Sequence, residues 1–508
     1  MKKLLATMLA LVMALTLCAT AWADGLSYAD NAAGGKTIDV GDYETLKQVM
    51  LDVNAGNVAG HLTVNITDDI TCGADWTPGA MGIDFTINGN NHTITGLPGM
   101  LITRAHRKAT IKDLTLSNVT VARVSTTDDD WECHGAFIGE GAYIETTLFQ
   151  NCKLINSQIA SAKYAGGFMG YIAADTNGQY TITFDNCTVK GCTITGFSST
   201  GGIVGHALGN SSTSVVVTNA TVTDNNITSN EPDPRGGAIL GTVGADLQNK
   251  VSISATVSGN TVKANGADVD TIYGRRGADD CGTITLTGGS YDKQPLKDED
   301  SWASVDSSIP EATVTNADGE PTSFNYGDSY VQSAAKNAAA GQTVTVTKGN
   351  VELAGIPAGV TVVVKETATA TVNGVSVPEG NDGLTVYAVT FDSDGGTDVA
   401  AQNVAAGGKA TQPANPTKNG YTFGYWCVES ADGTHVEYDF DAPVNSNLEL
   451  KAHWTVQSSG GTHHFNRPQP TTVTKAESPK TFDAGIAVYG VMTISSVLGM
   501  GYMGKKKV

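Results

Sequence analysis

Two clusters of ionisable residues have the types and spacing to do chemistry. Asp128-Asp129-Asp130-Trp131-Glu132 puts four carboxylates and an indole into five consecutive positions. Arg275-Arg276, closely followed by Asp279-Asp280, sets two cations beside two carboxylates. Carboxylates about 5–9.5 Å apart can hydrolyse a glycosidic bond, and a bound Ca²⁺ with a basic residue is the other route to polysaccharide cleavage. An acidic loop is equally a soluble flank with no chemistry. Elsewhere the signals are weaker. His463-His464 have no third ligand in a flexible segment, so no zinc site is implied. Asp392-Ser393-Asp394-Gly395-Gly396 follows a Ca²⁺ loop only faintly. No Walker loop, His-Glu-x-x-His or Gly-x-Ser-x-Gly occurs. No catalytic residue, metal or cofactor is expected. Asp128, Asp129, Asp130, Trp131 and Glu132 are the candidate binding residues.

The elements that must position them come from a repeat. Gly135-Ala136-Phe137-Ile138-Gly139 returns as Gly166-Gly167-Phe168-Met169-Gly170, Gly201-Gly202-Ile203-Val204-Gly205 and Gly236-Gly237-Ala238-Ile239-Leu240-Gly241, with a weaker copy at Ile272-Tyr273-Gly274. The final glycines step by 31, 35, 36 and 33 residues. A second pattern runs in phase: short triplets centred on Leu116, Leu154, Val189, Val222 and Val257, each followed by one ending at Val121, Ile159, Ile194, Ile227 or Val262. Each triplet alternates polar and apolar, as a strand does. Asn118, Asn156, Gly191, Asp224 and Gly259 lie between them, where left-handed backbone costs little. A fixed period of short strands is the mark of a β-solenoid, whose coils bury their inner faces only against their neighbours. The two sets of aliphatic residues should form internal ladders. Cys152 and Cys187 would share one column with Leu114, Ala220 and Ala255, as small buried hydrophobes.

Ahead of the repeat, Tyr43–Val53 has helical spacing with Asp42 as N-cap, suited to covering the open end of the first coil. Strand-like segments follow at Leu62–Ile66, Trp76-Thr77-Pro78, Phe85–Gly96 and Ala109–Leu114. This order resembles the opening of pectin-lyase-like right-handed parallel β-helices in bacterial surface proteins. The glycine motif resembles their GLUG repeat. The resemblance covers roughly residues 40–290 by repeat counting. It implies that polysaccharide lyases and glycoside hydrolases are relatives in fold, although the polygalacturonase motifs Asn-Thr-Asp, Gly-His-Gly and Arg-Ile-Lys are missing.

Residues 295–325 read as a polar connector. A short helix at 330–340 and strands at 342–347, 360–364 and 370–375 make either a small β module or a last incomplete set of coils. Residues 386–456 are similar to the internalin-type B repeat, also called the Listeria–Bacteroides repeat. The likeness rests on Val389-Thr390-Phe391-Asp392, Gly420-Tyr421-Thr422-Phe423, Trp426, Tyr438-Asp439-Phe440 and Leu448 to Trp454. It implies a β-grasp-like spacer. Phe391, Tyr421, Phe423, Trp426, Phe440 and Trp454 can supply its core.

The ends give an address. Residues 1–23 have Lys2 and Lys3, an apolar stretch, and Ala21-Trp22-Ala23, which reads as a secretory signal peptide cleaved before Asp24. At the other end Ser478-Pro479-Lys480-Thr481-Phe482 precedes an uncharged run at 484–503 and then Lys505–Lys507. The run is long enough to cross about 30 Å of hydrocarbon, with the lysines inside. This order resembles the sorting signal of sortase-anchored proteins. The resemblance implies that sortase joins Thr481 to peptidoglycan. Ser478 and Phe482 stand where the family has Leu and Gly, so a variant sortase is implied. Gln457–Glu477 would thread the wall. A plain membrane anchor by the 484–503 helix is the alternative.

The net charge of −20 becomes −24 once Lys2, Lys3, Asp483 and Lys505–Lys507 are set aside, which argues against nucleic-acid partners. The expected fold class is all-β: a right-handed parallel β-helix (β-solenoid) followed by small β domains, one of them β-grasp-like, with an N-terminal signal and a C-terminal transmembrane segment. The expected segments are 1–23 signal, 24–295 β-helix with a helical cap, 296–385 connector and module, 386–456 B repeat, 457–477 linker and 478–508 sorting signal. The expected function is that of a non-catalytic, wall-anchored surface protein in adhesion or in recognition of a glycan or host-matrix protein. A carbohydrate-active enzyme and a purely structural spacer are the other readings.

Overall fold

A computed structural model describes residues 26–457, apart from 32–33, 126, 128–130, 175–179, 209–212, 232–234, 244–250, 277–282, 298–299, 301, 366 and 431–432. Among the described residues strands take 52% and helices 6%, with no closed barrel, so the protein is all-β. Up to residue 305 nearly every strand pairs in parallel with the strand one period away. Five ladders result. The first runs through Ile38, Val64, Ile87, Ile111, Phe149, Phe184, Val217, Ile253, Leu286 and Val305. The second joins Leu116, Leu154, Val189, Val222 and Val257, and the third joins Val121, Ile159, Ile194, Ile227 and Val262. These last two are the aliphatic columns that the period predicts. All their members are buried, with one shared core beneath.

The turns have a physical cause. Asn118, Asn156 and Asp224 have positive φ, as do Gly191 and Gly259, so each rung bends at the same left-handed position between the second and third ladders. A further left-handed column at Asp113, Asn151, Asn186 and Asn219 was not foreseen. Its carboxamides bond along the stack: Asn151 Nδ2 donates to Asp113 Oδ1 at 2.8 Å, and Asn186 Nδ2 donates to Asn151 Oδ1 at 2.9 Å.

The glycine motif makes the corner between the fourth ladder (Cys133–Gly135, Tyr164–Gly166, Ser199–Gly201, Gly236–Gly237) and the fifth (Gly79–Met81, Ile102–Ala105, Ile138–Ile144, Met169–Ala174, Val204–Leu208, Leu240–Val243, Tyr273–Arg276). A Cβ on Gly166 or Gly201 would collide with the carbonyl oxygen three residues on, of Met169 or Val204. A Cβ on Gly205 or Gly241 would strike the backbone of the rung before. Phe137 stacks on Phe168 at 4.6 Å, and Phe149 on Phe184 at 5.0 Å. Cys152 and Cys187 are buried and free, in the column expected of them. Burial pushes their thiols up, Cys152 to about 12, so they pack rather than react.

Helix α1, Tyr43–Asn54, covers the first rungs with Leu46, Val49, Met50 and Val53. Asp42 caps it, accepting from Thr45 N at 2.9 Å and Thr45 Oγ1 at 2.8 Å.

Residues 295–325, expected as a connector, carry strands Ala303–Val305, Glu311–Thr315 and Pro321–Tyr326. The last pairs antiparallel with the end of the second ladder (Gly289 with Tyr326, Tyr291 with Phe324) and so closes the parallel stack. Helix α2, Asp328–Asn337, starts two residues earlier and ends three residues sooner than its spacing predicts. The strands that follow build a separate core around Val314, Val331, Val344, Leu353, Val362 and Val372. This cluster is distinct from the one beneath the rungs.

The last described region is a mixed sheet. Gly380–Asp392 pairs antiparallel with Gln402–Ala405 and parallel with Leu448–Val456, which pairs antiparallel with Tyr421–Glu429. No helix lies within 387–453 among the described residues, so of the β-grasp-like expectation only the mixed sheet is seen. Trp426 is central, 5.0 Å from Phe391 and 5.5 Å from Phe423. Tyr421 departs from the expected core: it is 39% exposed, with the Lys418 ammonium 4.8 Å from its ring. Its strand is at the surface there, and the bulge at Gly424 resets the register before Tyr425. Ser478–Phe482, Ala21, Ala23, the 484–503 run and His463-His464 lie outside the described residues. Among those described, no helix is long and apolar enough to cross a membrane.

Candidate functional site

The acidic insertion joins the third ladder to the fourth. Between Val121 and Cys133 it takes eleven residues, where the next rung needs three between Ala160 and Tyr164. Asp128, Asp129 and Asp130 lie outside the described residues; Trp131 and Glu132 can be placed.

Glu132 is a clasp. Its Oε1 accepts from the amides of Val124 at 2.8 Å and Ser125 at 3.2 Å, and its Oε2 accepts from Ala162 N at 2.6 Å. Its carbonyl accepts from Ser161 Oγ at 2.6 Å and Tyr164 N at 3.1 Å. Neighbouring His134 is buried, with Nδ1 2.5 Å from Ala160 O and Nε2 3.6 Å from Glu132 Oε1. A carboxylate that satisfies two backbone donors of its own loop and one of the next rung is committed to holding them together. Glu132 is thus a positioning residue, not a ligand contact.

Trp131 is different. It is 53% exposed and stands edge-on to Tyr164 (5.5 Å) and Tyr171 (5.2 Å), which stack on each other at 5.4 Å. His206 continues the pile 4.5 Å from Tyr164. The Lys163 ammonium lies 4.7 Å from the Trp131 ring. Cys133, Tyr164 and Tyr171 form a small cluster outside the main core. Burial, helped by Arg235 and Lys163, drops the His206 imidazole to about 4, so it is neutral at pH 7.

The sequence hides this corner because its parts come from different rungs. Glu140, Tyr171, His206 and Thr242 are paired successively across the fifth ladder. Each directly follows the last glycine of its motif. That position was the signal to read. Below it Arg104 donates from Nε and Nη2 to Glu140 Oε2 at 2.8 and 2.6 Å. Together with Trp131, Glu132, Cys133 and His134 the pair lines an open depression of about 400 Å³.

The corner can stack on a ring and donate hydrogen bonds. Its two described carboxylates, Glu132 and Glu140, are both engaged. At the second acidic-basic cluster, Arg275 and Arg276 end a strand of the fifth ladder, and Asp279-Asp280 lie outside the described residues. Asp392 Oδ1 accepts from Asp394 N at 2.9 Å and Asp394 pairs with Lys418, which makes a turn rather than a Ca²⁺ loop. Among the described residues no three His, Cys, Asp or Glu side chains come close enough to hold a metal ion.

No curated protein matches this chain. A solved structure from Bacteroides ovatus, provisionally described as an immunoglobulin A1 protease, overlaps 70% of this chain and 82% of its own at 13% identity and a TM-score of 0.36, a likeness too loose to carry an argument. Residues 387–453 match the profile of the Listeria–Bacteroides repeat domain. With the mixed sheet closed around Trp426, this segment of the chain is a Listeria–Bacteroides repeat domain.

Proposed function

We propose that this is a non-catalytic surface protein that recognises a glycan or a host-matrix protein through the corner at Trp131. The single observation that carries the reading is an indole left 53% exposed while a clasp (Glu132) and two stacked tyrosines fix its position. Holding a large aromatic at the surface costs stability, and rigid aromatics are the usual anchors of recognition. In this reading residues 1–23 direct export. A right-handed parallel β-helix displays the corner. The Listeria–Bacteroides repeat is β-grasp-like and serves as the stalk. Sortase links Thr481 to peptidoglycan, with the 484–503 segment in the membrane beforehand.

The test screens the full chain against polysaccharides and matrix proteins for binding and for depolymerisation. Binding lost in Trp131→Ala, with no product released, supports the reading. Product release abolished by substituting Asp128, Asp129 and Asp130 overturns it in favour of a carbohydrate-active enzyme. Anchoring is read separately: Thr481→Ala should release the protein from purified wall, and equal retention would overturn the sortase assignment.

A further inference from the structure

A second site lies at the other end of the parallel stack. The cleft between the rungs and helix α2 has a volume of about 550 Å³. One wall is a single helix face, with Tyr330, Ser333 and Asn337 three and four positions apart. The floor is Thr256 and Ser290 of the second ladder, with Ser323 of the closing hairpin. The Tyr330 hydroxyl lies 3.2 Å from Ser254 Oγ and 3.5 Å from Asn219 Oδ1, which lays the side chain across two rungs.

Two features give this cleft a chemistry. Among the described residues its polar side chains are hydroxyls and carboxamides; no Asp, Glu, Lys, Arg or His contributes. On a chain of net charge −20 an uncharged lining of this size offers an ionic ligand no counter-charge. The floor also continues out of the cleft. Ser290 pairs with Thr256, Thr256 with Thr221, and Thr221 with Thr188. Alternation fixes their side chains on the outer face, opposite the buried Val257, Val222 and Val189. The result is a line of hydroxyls about 4.8 Å apart that leads into the cleft.

We infer that this cleft binds an uncharged, polyhydroxylated ligand, a neutral oligosaccharide, with the Tyr330 ring as its stacking face and the threonine line as a track for the rest of the chain. The site is separate from the Trp131 corner and stands or falls without it.

The experiment titrates the full chain with neutral hexasaccharides of gluco, manno, galacto and xylo configuration, with hexagalacturonate as the charged control. At least one neutral hexamer should bind. Ser333→Trp fills the cleft from an exposed helix position and should weaken that hexamer at least about tenfold, whereas Trp131→Ala leaves it unchanged. Lys336→Ala, exposed on the same helix but outside the cleft, should bind as the parent does. The inference is overturned if no neutral hexamer binds, if hexagalacturonate binds as well as the neutral sugars, or if Ser333→Trp binds normally. Loss in Trp131→Ala alone would assign the sugar to the Trp131 corner and also overturn it.

Discussion

The rung stack and the Listeria–Bacteroides repeat solve the same problem in opposite ways. The stack spreads its core over many columns of medium-sized residues, so that Val189 lies buried in register between Leu154 and Val222 of the neighbouring rungs. The repeat domain gathers its core around one residue, with Trp426 touching both Phe391 and Phe423. In the first case burial is a sum of nearest-neighbour terms, and backbone space is the scarce quantity. In the second the scarce quantity is apolar volume, and one side chain supplies much of it. The lesson is where each region is fragile: the stack at its glycines, the repeat at its tryptophan.

Substitutions can break this contrast. Gly201→Val should have the largest effect, because its side chain would need the space of the Val204 carbonyl and the next rung. A loss of more than about 4 kcal/mol is expected, read as a lost calorimetric transition for the stack while the repeat still melts normally. Trp426→Ala should cost about 3–5 kcal/mol, confined to the transition of the repeat. If either variant abolished both transitions, the two regions would not be independent.

The next variants sharpen the contrast within the stack. Asn225 is 2% exposed and works in the interior, donating to Val189 O at 3.0 Å and to Asn260 Oδ1 at 2.9 Å while accepting from Cys192 N at 2.8 Å. Asn225→Ala strands those groups and should cost about 1–3 kcal/mol in denaturant melts. Asp42→Ala removes the cap of α1 and should cost about 1 kcal/mol. The bonds from Thr45 hold the Asp42 carboxyl below the usual carboxylate range. Its contribution is therefore complete above about pH 4 and fades as pH falls through the lowered value. The difference between parent and Asp42→Ala should shrink in acid and stay flat from pH 5 to 8. Smallest of all, Tyr421→Ala in the repeat should shift stability by less than about 0.5 kcal/mol, since its ring is half in solvent beside Lys418. A large loss there would return Tyr421 to the core.

How much was legible follows from how local each cause is. The second and third ladders could be read residue by residue, because a period-2 triplet and a left-handed turn are properties of a few adjacent residues. The first ladder was read only in its early rungs. Its later strands, such as Thr147–Gln150 and Val251–Ser258, lack a glycine motif to mark them. At the candidate site Trp131 was visible as the aromatic of an acidic loop. Glu132 looked like its equal, and only its three backbone donors separate a clasp from a contact.

By itself the sequence determined the all-β class, the period, which residues face inward in two ladders, the helical cap with Asp42, and the Listeria–Bacteroides repeat. Each of these depends on spacing along the chain. Tertiary structure alone decided that Tyr164, Tyr171 and His206 meet under Trp131, that an antiparallel hairpin ends the parallel stack, and that an uncharged cleft opens there. Those facts depend on contacts between residues a whole rung or more apart, and no local pattern encodes which outward side chains become neighbours when the rungs stack.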